Sequence, residues 1–119
     1  MNKSLGTHII LDMYQCNFEW LDNMTNKEIV GFFSLIVKKN NLAQVGEISY
    51  FFKHNSFSII IALKESHFAI HTWPEKGYVS ADVFVCNYTE DNTLKAKKLS
   101  EEICNLFNSK TIKKQVIER

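Results

Sequence analysis

One stretch of this 119-residue chain gathers groups able to move protons and break bonds: Lys64-Glu65-Ser66-His67-Phe68-Ala69-Ile70-His71-Thr72-Trp73-Pro74-Glu75. It places a serine hydroxyl, two imidazoles, two carboxylates and a large aromatic ring between strongly apolar segments. A lone strand histidine is ordinarily a hydrogen-bonded packing or surface group. Two histidines and a serine that converge with Cys86 at strand ends point instead to a reaction site. His67 and His71 share one face of a strand, as a metal pair would. No third and fourth ligands stand with them in the sequence, so no metal is expected. His8 and His54 receive no role, and Cys16 and Cys104 read as structural thiols.

The elements that must position these groups follow from periodicity. Residues 8–14 read as a first strand. Thr25-Asn26-Lys27-Glu28 has the form of a capping box, and Ile29, Val30, Phe33, Ile36 and Val37 supply a helical apolar face behind it. Residues 45–52 and 56–63 read as strands, the second β-branched around Ile59-Ile60-Ile61. Residues 67–73 form another, Pro74 to Gly77 a turn, and 78–86 a fifth strand in which Val79, Ala81, Val83 and Val85 alternate with Tyr78, Ser80, Asp82 and Phe84. A second helix is expected over 92–107 with Leu94, Leu99, Ile103 and Leu106 on one stripe, and a last strand over 111–117. Two helices among mostly antiparallel strands predict an α+β two-layer sandwich, both helices on one face of the sheet and the whole of 1–119 one domain.

Hairpin pairing then locates the chemistry. If 56–63 and 67–73 are antiparallel around Lys64-Glu65-Ser66, Ser58 falls close to His71. If 67–73 and 78–86 are antiparallel around the Pro74 turn, Cys86 falls opposite Glu65 and Ser66. Ser66 and Cys86 therefore share one end of the sheet, with Ser58 and His71 farther along. Eight extended residues separate Ser58 from Ser66, up to about 26 Å. One protomer does not easily gather all four groups; a two-fold dimer can, by setting the Ser58/His71 pair of one chain against Ser66/Cys86 of its mate.

Bulk properties exclude several classes. The formal net charge is +1, from 14 basic and 13 acidic residues, so no polyanion-binding surface is announced and nucleic acid is not an expected partner. Lys110, Lys113 and Lys114 cluster near the end and read as a solvated strand face. No stretch reaches the length of a membrane span, and the opening apolar run, broken by Asp12, does not read as a signal peptide. Three cysteines without paired spacing suit a reducing cytoplasm.

The block from Glu65 to Glu75, followed by Gly77-Tyr78 and Asp82-Val83-Phe84-Val85-Cys86, resembles the core of the short bacterial and archaeal S-adenosylmethionine decarboxylase proenzymes. Lys3-Ser4-Leu5-Gly6-Thr7-His8 and Tyr14-Gln15-Cys16 match as well, so the resemblance covers nearly the whole chain. It implies that the Ser66 hydroxyl attacks the Glu65 carbonyl, that the resulting ester eliminates, and that residue 66 becomes a pyruvoyl cofactor. Residues 1–65 would become a β chain and 66–119 an α chain. His71 matches the proton acceptor of this processing, with an imidazole pKa ordinarily about 6.5, and Ser58 its companion. The pyruvoyl group would hold the substrate amine as a Schiff base and accept the electrons released with carbon dioxide. Cys86 matches the acid that reprotonates the α-carbon, a thiol of ordinary pKa about 8.5 being mostly protonated at neutral pH. Phe52 and Trp73 match positions lining a nucleoside pocket, although Trp73 reads equally as core packing. Glu75 matches a carboxylate that accepts hydrogen bonds from ribose hydroxyls.

The family implies S-adenosylmethionine as substrate, a role in polyamine (spermidine) synthesis, and a homodimer with shared sites. The chain departs from the family pattern at Lys64, where a small residue is usual, at Ile59, where glycine is usual, and in the loop Lys53-His54-Asn55-Ser56-Phe57, normally rich in Pro and Gly. That loop borders the substrate pocket. Two rival readings follow: a pyruvoyl-dependent arginine or ornithine decarboxylase, and an unprocessed homologue that only binds a ligand or partner.

Overall fold

A computed structural model describes residues 5–88 and 90–119. Lys3 and Ser4 of the opening motif lie outside the described residues. The chain runs β1 (Gly6–Tyr14), α1 (Asn26–Lys39), β2 (Gln44–Phe51), β3 (Phe57–Leu63), β4 (Ser66–Trp73), β5 (Tyr78–Cys86), α2 (Thr93–Leu106) and β6 (Thr111–Glu118). The strands form one antiparallel sheet in the order β2-β3-β4-β5-β1-β6. This is the expected α+β architecture, with element bounds within about two residues of those read from periodicity.

Local chemistry accounts for the elements. Thr25 and Glu28 close the capping box of α1: Thr25 Oγ1 accepts from the Glu28 amide at 3.1 Å, and Glu28 Oε1 from the Thr25 amide at 2.9 Å. After β4 the chain turns through a short 3-10 segment, Pro74–Lys76, and Gly77 ends it at φ +60, a conformation glycine adopts without strain. At the other end of the sheet, Gly6 lets β1 approach β5. A Cβ there would lie 2.6 Å from the Val85 carbonyl oxygen and 2.8 Å from the Phe84 ring.

Strand alternation sends one set of side chains to the helices. Ile9, Leu11, Met13, Ile59, Ile61, Phe68, Ile70, Val79, Val83 and Val85 are buried against Ile29, Phe33 and Val37 of α1 and Ala96, Leu99 and Ile103 of α2. The α2 stripe differs from expectation in one respect. Leu94 is exposed, because it precedes Leu99 by five residues and so points about 140° away from it. Phe107, just past the helix, completes the stripe instead. On edge strand β6 every residue is exposed, and Lys113 and Lys114 charge that edge.

Among the described residues no helix covers the other face of the sheet. Ile48, Tyr50, Ile60 and Trp73 lie on it, each at least 36% exposed, together with Ser58, His67, His71, Asp82, His8 and Cys86. Among the described residues no helix is long and apolar enough to cross a membrane.

Candidate active site

The β3–β4 hairpin has the register expected of it: Ser58 pairs with His71 and Leu63 with Ser66. Ser58 Oγ and His71 Nδ1 are 2.8 Å apart, both on the uncovered face. The hydroxyl fixes the imidazole plane and occupies Nδ1, which leaves Nε2 for proton transfer to a third group.

This pair lines a cleft of about 660 Å³ with Phe52, Trp73 and Glu75, so all three residues matched to nucleoside binding share one cavity with the Ser58/His71 pair. Trp73 is held from behind. Its ring stacks on Tyr78 with centroids 5.2 Å apart, and Tyr78 stacks on Tyr14 at 5.3 Å. Tyr78 in turn donates to Asp12 Oδ1 at 2.5 Å. Burial, reinforced by the neighbouring Asp12 carboxylate, pushes the Tyr78 phenol up to about 12, so it stays a donor. Trp73 is thus 36% exposed and part of an aromatic row, rather than core.

The cleft rim is the loop Lys53-His54-Asn55-Ser56-Phe57, and hydrogen bonds set its shape. Asn55 takes φ +59, and its side-chain amide donates to Asp22 Oδ1 at 2.8 Å and to the Phe18 carbonyl at 3.3 Å. Buried Thr72 donates to the Asn55 carbonyl at 2.7 Å and accepts from the Phe57 amide at 2.9 Å. Asparagine supplies the left-handed corner, and Thr72 pins the loop to β4.

Glu65, Ser66 and Cys86 lie elsewhere. Lys64 and Glu65 form the exposed turn between β3 and β4, and Ser66 opens β4 half-buried. The β4–β5 pairing runs from Trp73↔Tyr78 to His67↔Phe84, and two further residues along β5 bring Cys86 to the Glu65–Ser66 end. Ser66 and His71 are five residues apart on one strand, about 16 Å. Within the chain the candidate residues fall into two groups: Ser58, His71, Phe52, Trp73 and Glu75 in the cleft, and Glu65, Ser66 and Cys86 at the opposite sheet end.

A further cluster escaped the sequence. His8 lies opposite Phe84 on β1, His67 lies opposite Phe84 on β4, and Asp82 stands on the same face of β5 between them. His8 Nε2 is 3.4 Å from Asp82 Oδ2, and His67 Nε2 is 3.7 Å from Asp82 Oδ1. The histidine pairing thus differs from the one considered along β4, where His67 and His71 stand about 13 Å apart and have separate partners. Only the long-range β1–β5 pairing brings His8 in. The alternation of His8, Ile10, Asp12 and Tyr14 along β1 was the one available signal.

Comparison with known proteins fits this arrangement to a family. The family model described as S-adenosylmethionine decarboxylase matches residues 7–119. The chain belongs to the S-adenosylmethionine decarboxylase family. It is 34% identical over 119 residues to the S-adenosylmethionine decarboxylase proenzyme of Sulfurihydrogenibium sp., covering 100% of this chain and 85% of that one. The proenzyme of Aquifex aeolicus is also 34% identical, with 100% and 84% covered. The crystal structure of the adenosylmethionine decarboxylase from Aquifex aeolicus superposes with a TM-score of 0.82 at 33% identity, covering 99% of this chain and 92% of that one.

Proposed function

We propose that this chain is a self-processing precursor that cuts itself between Glu65 and Ser66, carries a pyruvoyl group at position 66, and decarboxylates S-adenosylmethionine. The observation that carries the reading is the division of labour along β4. Its first residue, Ser66, follows an exposed two-residue turn, and its sixth, His71, is bonded to Ser58 inside the aromatic cleft.

A peptide in an exposed hairpin turn fits the group, because cutting it leaves both strands paired to their other neighbours. Ser66 Oγ adds to the Glu65 carbonyl carbon and the amide nitrogen leaves it, giving an ester. Loss of the Ser66 α-proton then breaks the Cβ–O bond, releasing the Glu65 carboxylate. Water converts the residual enamine to a ketone with loss of ammonia. His71, oriented by Ser58, accepts a proton in this sequence. The pyruvoyl group supplies an electrophile and electron sink for a substrate amine. Trp73 and Phe52 offer faces for an adenine, Glu75 accepts from ribose hydroxyls, and Cys86 returns a proton to the product carbon.

The two half-sites require two chains. A homodimer formed through the uncovered face sets the cleft of one protomer against Ser66 and Cys86 of its partner and covers Ile48, Tyr50 and Ile60. The three free thiols suit a cytoplasmic enzyme, one that supplies an aminopropyl donor for polyamine synthesis.

Denaturing mass spectrometry tests the cut: two pieces split after Glu65, the second blocked at its N-terminus, are expected. One intact chain would support the ligand-binding homologue. Carbon dioxide release from S-adenosylmethionine, arginine and ornithine tests the substrate. Turnover of either amino acid without turnover of S-adenosylmethionine would reject the assignment.

A further inference from the structure

We propose that His8, His67 and Asp82 form a binding site for a borderline divalent cation such as Zn²⁺, and that the ion clips β1 to β4 and β5 beside Ser66. The clip role rests on the proposed cut between Glu65 and Ser66, because His8 then belongs to one piece and His67 and Asp82 to the other; the binding itself does not depend on the cut.

The geometry is that of a site rather than a chance meeting of polar groups. The three ligand atoms lie within 4.8 Å of one another. In tetrahedral coordination, bonds of about 2.0–2.1 Å place neighbouring ligand atoms about 3.3 Å apart. The nearest carboxylate-to-imidazole separations, 3.4 Å from Asp82 Oδ2 to His8 and 3.7 Å from Asp82 Oδ1 to His67, are close to that spacing, one oxygen facing each ring. Asp82 Oδ1 is buried and has no hydrogen-bond partner among the described residues, while His67 Nε2 faces it from beyond hydrogen-bonding reach. An ion between them satisfies both, and a buried carboxylate oxygen left bare is otherwise costly. Two imidazoles and one carboxylate on three adjacent strands leave a further coordination position for water, the pattern of borderline metals rather than calcium or magnesium.

Two neighbours bear on the site. The Phe84 ring packs beside both histidines on the same face, centroids 5.6 Å from His8 and 5.9 Å from His67, and limits how far either imidazole can turn. Arg119 Nη1 is 3.5 Å from His8 Nδ1, the ring nitrogen turned away from Asp82, and its guanidinium lies 5.2 Å over the Phe84 ring. Metal at Nε2 puts the imidazole proton on Nδ1, so Arg119, which is exposed, gives up that contact. The position gives the ion a purpose. After a cut, residue 66 would be the free end of a strand, and fixing His67 to β1 and β5 keeps that end from fraying.

Isothermal titration of the full-length chain with ZnCl₂, and the absorption spectrum with CoCl₂ as probe, test the site in wild type and in the uncut Ser66→Ala chain. Both are expected to bind one ion per chain with equal affinity. His8→Ala and the isosteric Asp82→Asn, checked for folding by circular dichroism, are expected to weaken binding by about tenfold or more, whereas His54→Ala leaves it unchanged. Zinc is also expected to raise the urea midpoint of the processed protein, and not that of its Asp82→Asn variant. Absence of saturable binding, or affinity unmoved by both His8→Ala and Asp82→Asn, overturns the site. An uncut wild-type chain that still binds zinc upholds the site and removes the clip.

Discussion

A mixed dimer separates a shared site from a private one. Ser66→Ala removes the hydroxyl proposed to make the cut, and His71→Ala removes the imidazole bonded to Ser58. Within one chain these residues lie about 16 Å apart, beyond the reach of direct proton transfer or one intervening water. If each site joins Ser66 of one chain to His71 of the other, a heterodimer of the two variants has one wholly intact site and one doubly defective site. Equal co-expression with random pairing puts half of the chains in heterodimers. About half of the His71→Ala chains should then be cut, while every Ser66→Ala chain stays intact, and decarboxylation should reach about a quarter of wild type. Denaturing mass spectrometry distinguishes the variants by mass and counts the cut fraction directly, with each variant alone as the baseline. His71→Ala chains that remain at that baseline in a mixture shown by native mass spectrometry to contain heterodimers would refute the shared geometry.

Other expectations follow from single contacts. Gly6→Ala should destabilise the protein by about 1–3 kcal/mol in urea, because the new Cβ meets the Val85 carbonyl oxygen at 2.6 Å, and backbone does not yield as a side chain would. Thr72→Val strips the partners from the Asn55 carbonyl and the Phe57 amide; a cost of about 1–3 kcal/mol and a raised KM are expected, with self-cleavage retained. Glu75→Gln should raise KM for S-adenosylmethionine and leave the extent of cleavage unchanged, as mass spectrometry would show. Burial pushes the Cys16 thiol up to about 11, and burial with Asp12 pushes Tyr78 up to about 12. Both groups hold their protons more tightly folded than unfolded, so their stabilising effect is whole below about pH 9 and is lost as pH rises through 9 to 12. Alkaline urea titrations should show this fall, shallower between pH 10 and 12 in Tyr78→Phe.

The parts of the fold legible in the sequence are those set by short-range chemistry. The capping box of Thr25 and Glu28, the alternation along 78–86 and the turns at 64–65 and 74–77 fix α1 and two hairpins. Those hairpins alone predict the Ser58–His71 contact and the separation of Ser66 from it. Two features were out of reach. The insertion of β1 between β5 and β6 joins residues more than sixty positions apart, which no local pattern specifies. The His8–Asp82–His67 cluster and the stack of Tyr14 on Tyr78 both depend on it. The other is the rim loop, where Asn55 and Thr72 supply by hydrogen bonding what Pro and Gly supply by backbone preference.

The strand order would also let the fold survive the proposed break in its own middle. Residues before the proposed cut supply β1, β2 and β3; those after it supply β4, β5 and β6. In the sheet the two groups interleave: β3 pairs with β4, and β1 lies between β5 and β6. Neither group alone forms a continuous sheet, and β1 in particular finds both its partners in the other group. Three of the five strand interfaces therefore bridge the cut, and separating the pieces means breaking all three together. The same interleaving orders events in time. The β3–β4 hairpin presents Ser66 beside the Glu65 carbonyl, so the proposed cut would follow folding, and its product would keep a shape that the pieces, starting apart, have no local route to rebuild.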